Sequence, residues 1–207
     1  MEIRTLPLGP LETNCYLLRE GEEVLIVDPS GEPEKIKEAI GLDQTVKGIL
    51  LTHAHFDHIG ALEDIANHYD AKTWMGRPEL EWLADPAKNG SAKYTDMGLP
   101  IITADIQPIP LEEGRHSIGK FEFEVLYTPG HSPGSLSYLF NDFIVSGDVL
   151  FNGGIGRTDL YQADHSTLID SIRSKMYMLD DEIVVYPGHG PETTIGYEKK
   201  TNPFVRK

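Results

Sequence analysis

The stretch Thr52-His53-Ala54-His55-Phe56-Asp57-His58-Ile59-Gly60 gathers three histidines and an aspartate within six consecutive positions. Ahead of it, Ile49-Leu50-Leu51 reads as a buried strand; behind it, Ala61-Leu62-Glu63-Asp64-Ile65-Ala66 carries the apolar period of a helix. The cluster therefore occupies a strand-to-helix turn. In extended backbone the side chains at i and i+2 point the same way, so His53 and His55 can grip one cation together. Asp57 and His58 come where the chain bends, and they aim at a second point nearby. This layout suggests two metals side by side. A lone aspartate before a helix is ordinarily an N-cap, and a lone histidine beside an aliphatic strand is ordinarily a satisfied core or rim residue. Core packing gives no reason to concentrate polar imidazoles at one turn, so the clustering points to metal ligation.

Three later segments supply the ligands that such a centre still lacks. Thr128-Pro129-Gly130-His131-Ser132-Pro133-Gly134 sets a histidine between Pro/Gly turn signals, after the alternating strand Phe121-Glu122-Phe123-Glu124-Val125-Leu126. Phe143-Ile144-Val145-Ser146-Gly147-Asp148 is a short apolar strand ending in an aspartate. Ile183-Val184-Val185-Tyr186-Pro187-Gly188-His189-Gly190-Pro191 repeats the strand-then-Gly-His layout. Each candidate lies just past the carboxyl end of an expected strand, where sheet folds tend to build their sites.

Taken in order, His53-x-His55-x-Asp57-His58, His131, Asp148 and His189 resemble the metallo-β-lactamase-fold hydrolases, and more narrowly their short glyoxalase II-like (hydroxyacylglutathione hydrolase-like) branch. Pro7-Leu8-Gly9-Pro10-Leu11-Glu12-Thr13-Asn14-Cys15-Tyr16, Val27-Asp28-Pro29, Gly156-Arg157-Thr158-Asp159-Leu160 and Thr201-Asn202-Pro203-Phe204 extend the likeness over nearly the whole chain. The resemblance implies an α/β fold, a four-layer αββα sandwich, with residues 1–207 as one hydrolase domain. It assigns His53, His55 and His131 to one metal and Asp57, His58 and His189 to the other, with Asp148 bridging them and Asp57 and Asp148 as the catalytic carboxylates. Imidazole and carboxylate ligands suit Zn, Fe or Mn over soft thiophilic ions, with zinc the first expectation. Such metal pairs lie about 3.5–4 Å apart and share a water whose pKa falls from 15.7 to about 7. The implied reaction is attack of that hydroxide on an acyl carbon. A thioester such as S-D-lactoylglutathione suits it, because a thiolate departs with little general-acid help.

The length of 207 residues fits one domain with ample core. Net charge is −15, from Lys+Arg 18 against Asp+Glu 33, which argues against a nucleic-acid partner; the small-molecule substrate is what the resemblance implies. The start lacks a basic region followed by an apolar stretch, and no segment approaches the roughly 20 apolar residues of a membrane span. A cytoplasmic location without membrane attachment is the expectation. Cys15 is the single cysteine, which excludes an intramolecular disulfide and a thiolate-rich zinc site. Beside Tyr16-Leu17-Leu18 it reads as a buried strand residue, not a nucleophile. His68, His116 and His165 fall outside the motifs and receive no chemistry.

Expected strands run over 2–8, 13–19, 23–28, 47–52 and 72–75, with helices over 32–40 and 58–69. Residues 77–97 read as helical or irregular, and Trp74, Trp82 and Tyr94 either cover one side of the site or merely pack. Three or four strands occupy 106–147, followed by a Gly-rich loop at 152–156, a helix over 165–179, a strand over 183–187 and a last helix over 193–200. Two halves of strands-then-helix fit a four-layer sandwich.

Two residues keep two readings each. Asp28, by likeness to the family, supports the ligands from behind, or it simply ends its strand at the turn before Pro29. Arg157 stands where longer glyoxalase II enzymes show a Gly-Lys-aromatic segment; it pairs either with a substrate carboxylate or with Asp159. Tyr161 does not fall on the family's aromatic position. The longer enzymes also draw glutathione contacts from an additional C-terminal helical domain that is not expected here, which leaves the carrier thiol open. Gly156-Arg157-Thr158-Asp159 and much of the ligand set also resemble persulfide dioxygenase, an oxidoreductase with a single iron on a two-His, one-carboxylate face. His189 favours the hydrolase, because it completes a second metal site. A true β-lactamase fits less well, since a carboxylate at Asp148 is not part of that enzyme's site and no export signal is expected.

Overall fold

Every residue from Cys15 to Leu18 is buried. Successive strand side chains go to opposite faces, so this strand needs cover on both sides. The structure, a computed structural model, describes residues 1–205 and shows how that cover is supplied. One sheet takes β1 (Glu2–Leu8), β2 (Thr13–Glu20), β3 (Glu23–Val27), β4 (Thr45–Leu50), β5 (Thr73–Met75) and β6 (Ile109–Pro110) in sequence order. The first three strands pair antiparallel and the rest parallel, with α1 (Pro33–Ala39) and α2 (Leu62–Tyr69) in the crossovers. The second sheet contains β7 (Gly114–Ile118), β8 (Phe121–Tyr127), β9 (Leu136–Leu139) and β10 (Phe143–Gly147). A small hairpin, β11 (Leu150–Phe151) with β12 (Gly154–Ile155), and helix α3 (His165–Ser174) follow. Strands β13 (Val184–Pro187) and β14 (Thr193–Thr194) complete the second sheet in the order β14-β13-β10-β9-β8-β7, and α4 (Ile195–Thr201) comes last.

Three apolar cores fall between four layers. Cys15, Leu17, Ile26 and Ile49 face Ile36, Leu62 and Ile65 of the first helix pair. Their strand neighbours Tyr16, Leu18, Leu25 and Leu50 face Phe121, Phe123, Val125 and Val145 between the sheets. Ile144 and Val185 meet Leu168, Ile172 and Ile195 on the outer side of the second sheet. The αββα order is thus written in strand alternation: Phe121, Phe123 and Val125 point inward, while Glu122 and Glu124 do not. Cys15 is a buried core residue, as its apolar neighbours suggest.

Several boundaries differ from the sequence expectation. The helix expected over 58–69 begins at Leu62. Residues 58–61 instead form turns in which His58 N–H donates to the His55 carbonyl and Ala61 N–H to that of Pro29. Gly60 lies so close to the Ser30 carbonyl that an added Cβ would stand 2.3 Å from its oxygen. The helix expected over 165–179 ends at Ser174 and continues as a short 3-10 turn at Met176–Met178. Residues 77–97 hold two 3-10 helices, Arg77–Ala84 and Ser91–Met97. Five strands, not three or four, fall within 106–147, and the expected Gly-rich loop holds the turn and the second strand of the small hairpin. Trp74 packs against the inter-sheet core. Among the described residues, no helix is long and apolar enough to cross a membrane.

Leu50 is fully buried between the sheets, whereas Leu42 is fully exposed. Leu50→Ala is expected to lower the unfolding free energy by about 2–5 kcal/mol in urea denaturation; Leu42→Ala is expected to change it by no more than about 0.5 kcal/mol.

Candidate metal centre

The site lies where four strands end. β4 runs into the His53–His58 turn, β8 into the His131 loop, β10 into Asp148 and β13 into His189. The second sheet grips the turn directly: Leu136 N–H donates to the Thr52 carbonyl at 2.8 Å, and the Tyr138 hydroxyl donates to the Leu51 carbonyl. Three groups of side chains converge: His53 with His55 and His131, His53 with His58 and Asp148, and Asp57 with His58 and His189. Within each group the ligating atoms lie within 4.8 Å of one another. All seven residues singled out in the sequence are therefore brought together. His55 Nδ1 faces His131 Nε2 at 2.9 Å. Asp148 stands between the halves, with Oδ1 3.4 Å from His58 Nε2 and Oδ2 3.5 Å from His131 Nε2 and 3.6 Å from His189 Nε2. His189 Nε2 is 3.2 Å from Asp57 Oδ2.

Four of the five imidazoles, those of His53, His58, His131 and His189, are oriented through the other ring nitrogen. Asp28 accepts the Thr52 N–H (2.8 Å) and hydroxyl (2.6 Å) and meets His58 Nδ1 at 2.8 Å. Thr52 Oγ1 in turn lies 3.0 Å from His53 Nδ1. His131 Nδ1 donates to the Arg157 carbonyl (2.8 Å) and His189 Nδ1 to that of Leu11 (3.2 Å). Asp28 therefore fills both roles open in the sequence. Its φ of 50° turns the chain after β3, a conformation that aspartate tolerates better than most residues, and its carboxylate stands behind the ligands. Backbone spacing is equally tight: a Cβ on Gly188 would meet Asp148 Oδ1 at 2.0 Å, so only glycine can precede His189 here.

Three of the inward-facing atoms lack protein partners. His53 Nε2, His58 Nε2 and Asp148 Oδ1 are buried without a hydrogen bond, a costly state unless another group completes it. Neutral imidazoles and ionised carboxylates are what divalent cations bind. Burial, reinforced by neighbouring imidazoles, pushes His53, His55 and His131 below the usual histidine range. Burial also pushes Asp57 and Asp148 upward, but the adjacent histidines, His58 foremost, outweigh it and hold both carboxyls low. For His58, burial is overcome by Asp57, Asp148 and Asp28, which favour the proton. The converging imidazole and carboxylate donors, with His53 Nε2, His58 Nε2 and Asp148 Oδ1 left unpartnered, fit a pair of divalent cations, whose binding displaces the proton that the carboxylates favour on His58 and His189.

A cavity of about 410 Å³ opens above the cluster, lined by Leu11, Phe56, Lys93, Tyr94, Phe151 and Arg157 among others. The Arg157 guanidinium is committed to Asp159 by two contacts of 2.6 Å. Trp82 lies beneath, its ring 6.1 Å from that of His55 and 5.4 Å from that of Tyr161; Tyr94 lines the opening.

Sequence reasoning missed some supports. Asn14 Nδ2 donates to the Pro187 and Gly190 carbonyls, and Thr13 Oγ1 donates to Asp57 Oδ2 at 2.8 Å. The signal was the polar Thr13-Asn14 pair opening an otherwise apolar strand. Glu79, fully buried in the 3-10 helix Arg77–Ala84, was missed as well. Burial pushes its carboxyl upward, against donors from Ser132, Ala54 and Gly134.

An αββα sandwich with histidines and aspartates converging at its strand ends marks the class of metal-dependent enzymes. The chain belongs to the metallo-beta-lactamase superfamily, which it matches over residues 8–189. It is 44% identical over 210 residues to the probable metallo-hydrolase YqgX of Bacillus subtilis, covering 99% of this chain and 98% of that one. It is 38% identical over 211 residues to the hydroxyacylglutathione hydrolase GloC of Haemophilus influenzae, again covering 99% and 98%. Among solved structures, the BLEG-1 B3 metallo-beta-lactamase aligns with a TM-score of 0.93 at 42% identity over 99% of each chain. TTHA1623 in a di-iron-bound form aligns with a TM-score of 0.87 at 38% identity, over 98% of this chain and all of that one.

Asp28→Asn tests the support behind His58. An amide nitrogen facing Nδ1 forces the ring's proton onto Nε2, the atom aimed at the centre. Metal affinity, read by chelator competition, is expected to fall about 10–100-fold, with far-UV circular dichroism unchanged.

Proposed function

We propose that the protein is a dinuclear-metal hydrolase that cleaves small-molecule thioesters, with S-2-hydroxyacyl thiols such as S-D-lactoylglutathione as the leading substrate class. The observation that carries this reading is the convergence of His53, His55, Asp57, His58, His131, Asp148 and His189 into groups that share members. In it, His53, His55 and His131 hold one cation, Asp57, His58 and His189 hold the other, and Asp148 lies between them. The likeness to GloC supports the thioester substrate, and that to di-iron TTHA1623 supports a pair of metals, zinc or iron, over a single ion.

Bound divalent cations supply an activated water at neutral pH and polarise the acyl carbonyl. The chain's part is placement and charge. Asp57 and Asp148 stay ionised, and they are held still by Thr13 and by the packing of Gly188. Leu11, Phe56 and Phe151 give the cavity an apolar wall that excludes water from the acyl group, while Lys93 and Tyr94 line the opening. Arg157, held by Asp159, lines the same cavity and adds a donor-rich edge to it. Water adds across the acyl C–S bond, giving a carboxylic acid and a free thiol. The acidic net charge favours a small molecule over nucleic acid, and the single buried thiol is consistent with a cytoplasmic setting.

The likeness to BLEG-1 adds β-lactam hydrolysis as a second reading. The persulfide dioxygenase alternative needs one iron and oxygen, and His189, 3.2 Å from Asp57, weighs against it. A panel of S-D-lactoyl and acetyl thioesters on several thiols, with a cephalosporin and a persulfide beside them, separates the three. Thioester turnover is expected to require metal and to fall in Asp148→Ala by more than the roughly hundredfold typical of residues standing behind a metal. Full thioester turnover by metal-free protein, or turnover of the cephalosporin alone, contradicts the proposal. Oxygen uptake with persulfide at one iron per chain does so too.

A further inference from the structure

Glu79 is fully buried, and no step above uses it. Its Oε2 accepts the Ala54 N–H at 2.7 Å and its Oε1 accepts the Gly134 N–H at 2.6 Å. Ala54 separates His53 from His55, and Gly134 closes the turn that starts at His131. The first loop leaves β4 of one sheet and the second leaves β8 of the other. A single carboxylate therefore joins the loops that present these three histidines. Asp57, His58 and His189 lean on different groups: the Thr13 hydroxyl, Asp28 and the Leu11 carbonyl. There is little slack around the joint. A Cβ on Gly134 would stand 2.9 Å from Glu79 Cγ and Oε1, and one on Gly76 would stand 2.1 Å from the Gly134 oxygen.

Only an ionised carboxylate offers acceptors on both sides. A glutamine in its place turns an NH₂ toward one of the two amides, and a buried N–H then goes unpaired. An aspartate keeps the charge but withdraws it by a methylene. Either change lets the His53–His55 turn drift from the His131 loop.

We propose that Glu79 is a positioning residue that sets the spacing of His53, His55 and His131, and with it the metal affinity of that half of the centre alone. This rests on the dinuclear reading above. The test strips the purified protein with a chelator and titrates it with Co(II), following the visible absorption of bound cobalt and competition with a chromophoric chelator. Wild type is expected to take two equivalents. In Glu79→Gln one binding constant is expected to weaken about 10–100-fold and the other to stay within about threefold. Two backgrounds say which half has moved. With His189→Ala, which weakens the other half, Glu79→Gln still lowers the remaining affinity; with His131→Ala it has no further effect. Glu79→Asp, read in the same titration, carries the test if the glutamine variant does not fold. Equal weakening of both sites overturns the proposal, as does a lowered melting temperature with both constants unchanged. A wild type that binds fewer than two cobalt ions instead overturns the dinuclear reading.

Discussion

The Asp28 carboxylate is the contact on which the remaining geometry depends. It binds the backbone and the hydroxyl of Thr52 at one end of the ligand turn and the ring of His58 near the other. One buried acid thus sets where the turn begins and which nitrogen of His58 faces inward. Its own place follows from β3, whose apolar residues lock it beside β4 in the sheet. Core packing is in this way converted into ligand orientation. Without that anchor, His53 and His58 would have no common frame, and Asp148 would have nothing fixed to stand between.

The fold distributes the ligands so that neither sheet holds the centre alone. The first sheet contributes His53, His55, Asp57 and His58; the second contributes His131, Asp148 and His189. Docking of the two sheets through Tyr16, Leu18, Phe121 and Val145 therefore assembles the site. Cross-links from Asn14 to the His189 loop and from Leu136 to Thr52 fasten the seam where precision is needed. A buried centre with unpartnered nitrogens is expensive to leave empty, so a cation bound there would stabilise the fold.

The layers and the convergence of the seven histidines and aspartates were legible in the sequence for a physical reason. Double-sided burial writes a continuous apolar run such as Cys15–Leu18, one-sided burial writes the alternation of Phe121–Val125, and ligands cluster where strands stop. The start of α2 was not legible, because Ile59 and Leu62 keep a helical spacing while the close approach of Gly60 to Ser30 is a tertiary fact. Glu79 was invisible for a similar reason. In Arg77-Pro78-Glu79-Leu80-Glu81 it looks no different from Glu81, which is exposed; only the fold buries one and not the other. Arg157 was legible as a charge near the site, but its commitment to Asp159 became definite only in three dimensions.

The central claim is that seven side chains hold a pair of cations across the seam between the sheets. Anomalous diffraction from crystals of the metal-loaded protein, recorded at the absorption edge of the bound element, tests it most directly. The account predicts two peaks about 3.5–4 Å apart, one among His53, His55 and His131, the other among Asp57, His58 and His189, with Asp148 touching both. A single peak, or two peaks without Asp148 between them, would contradict it.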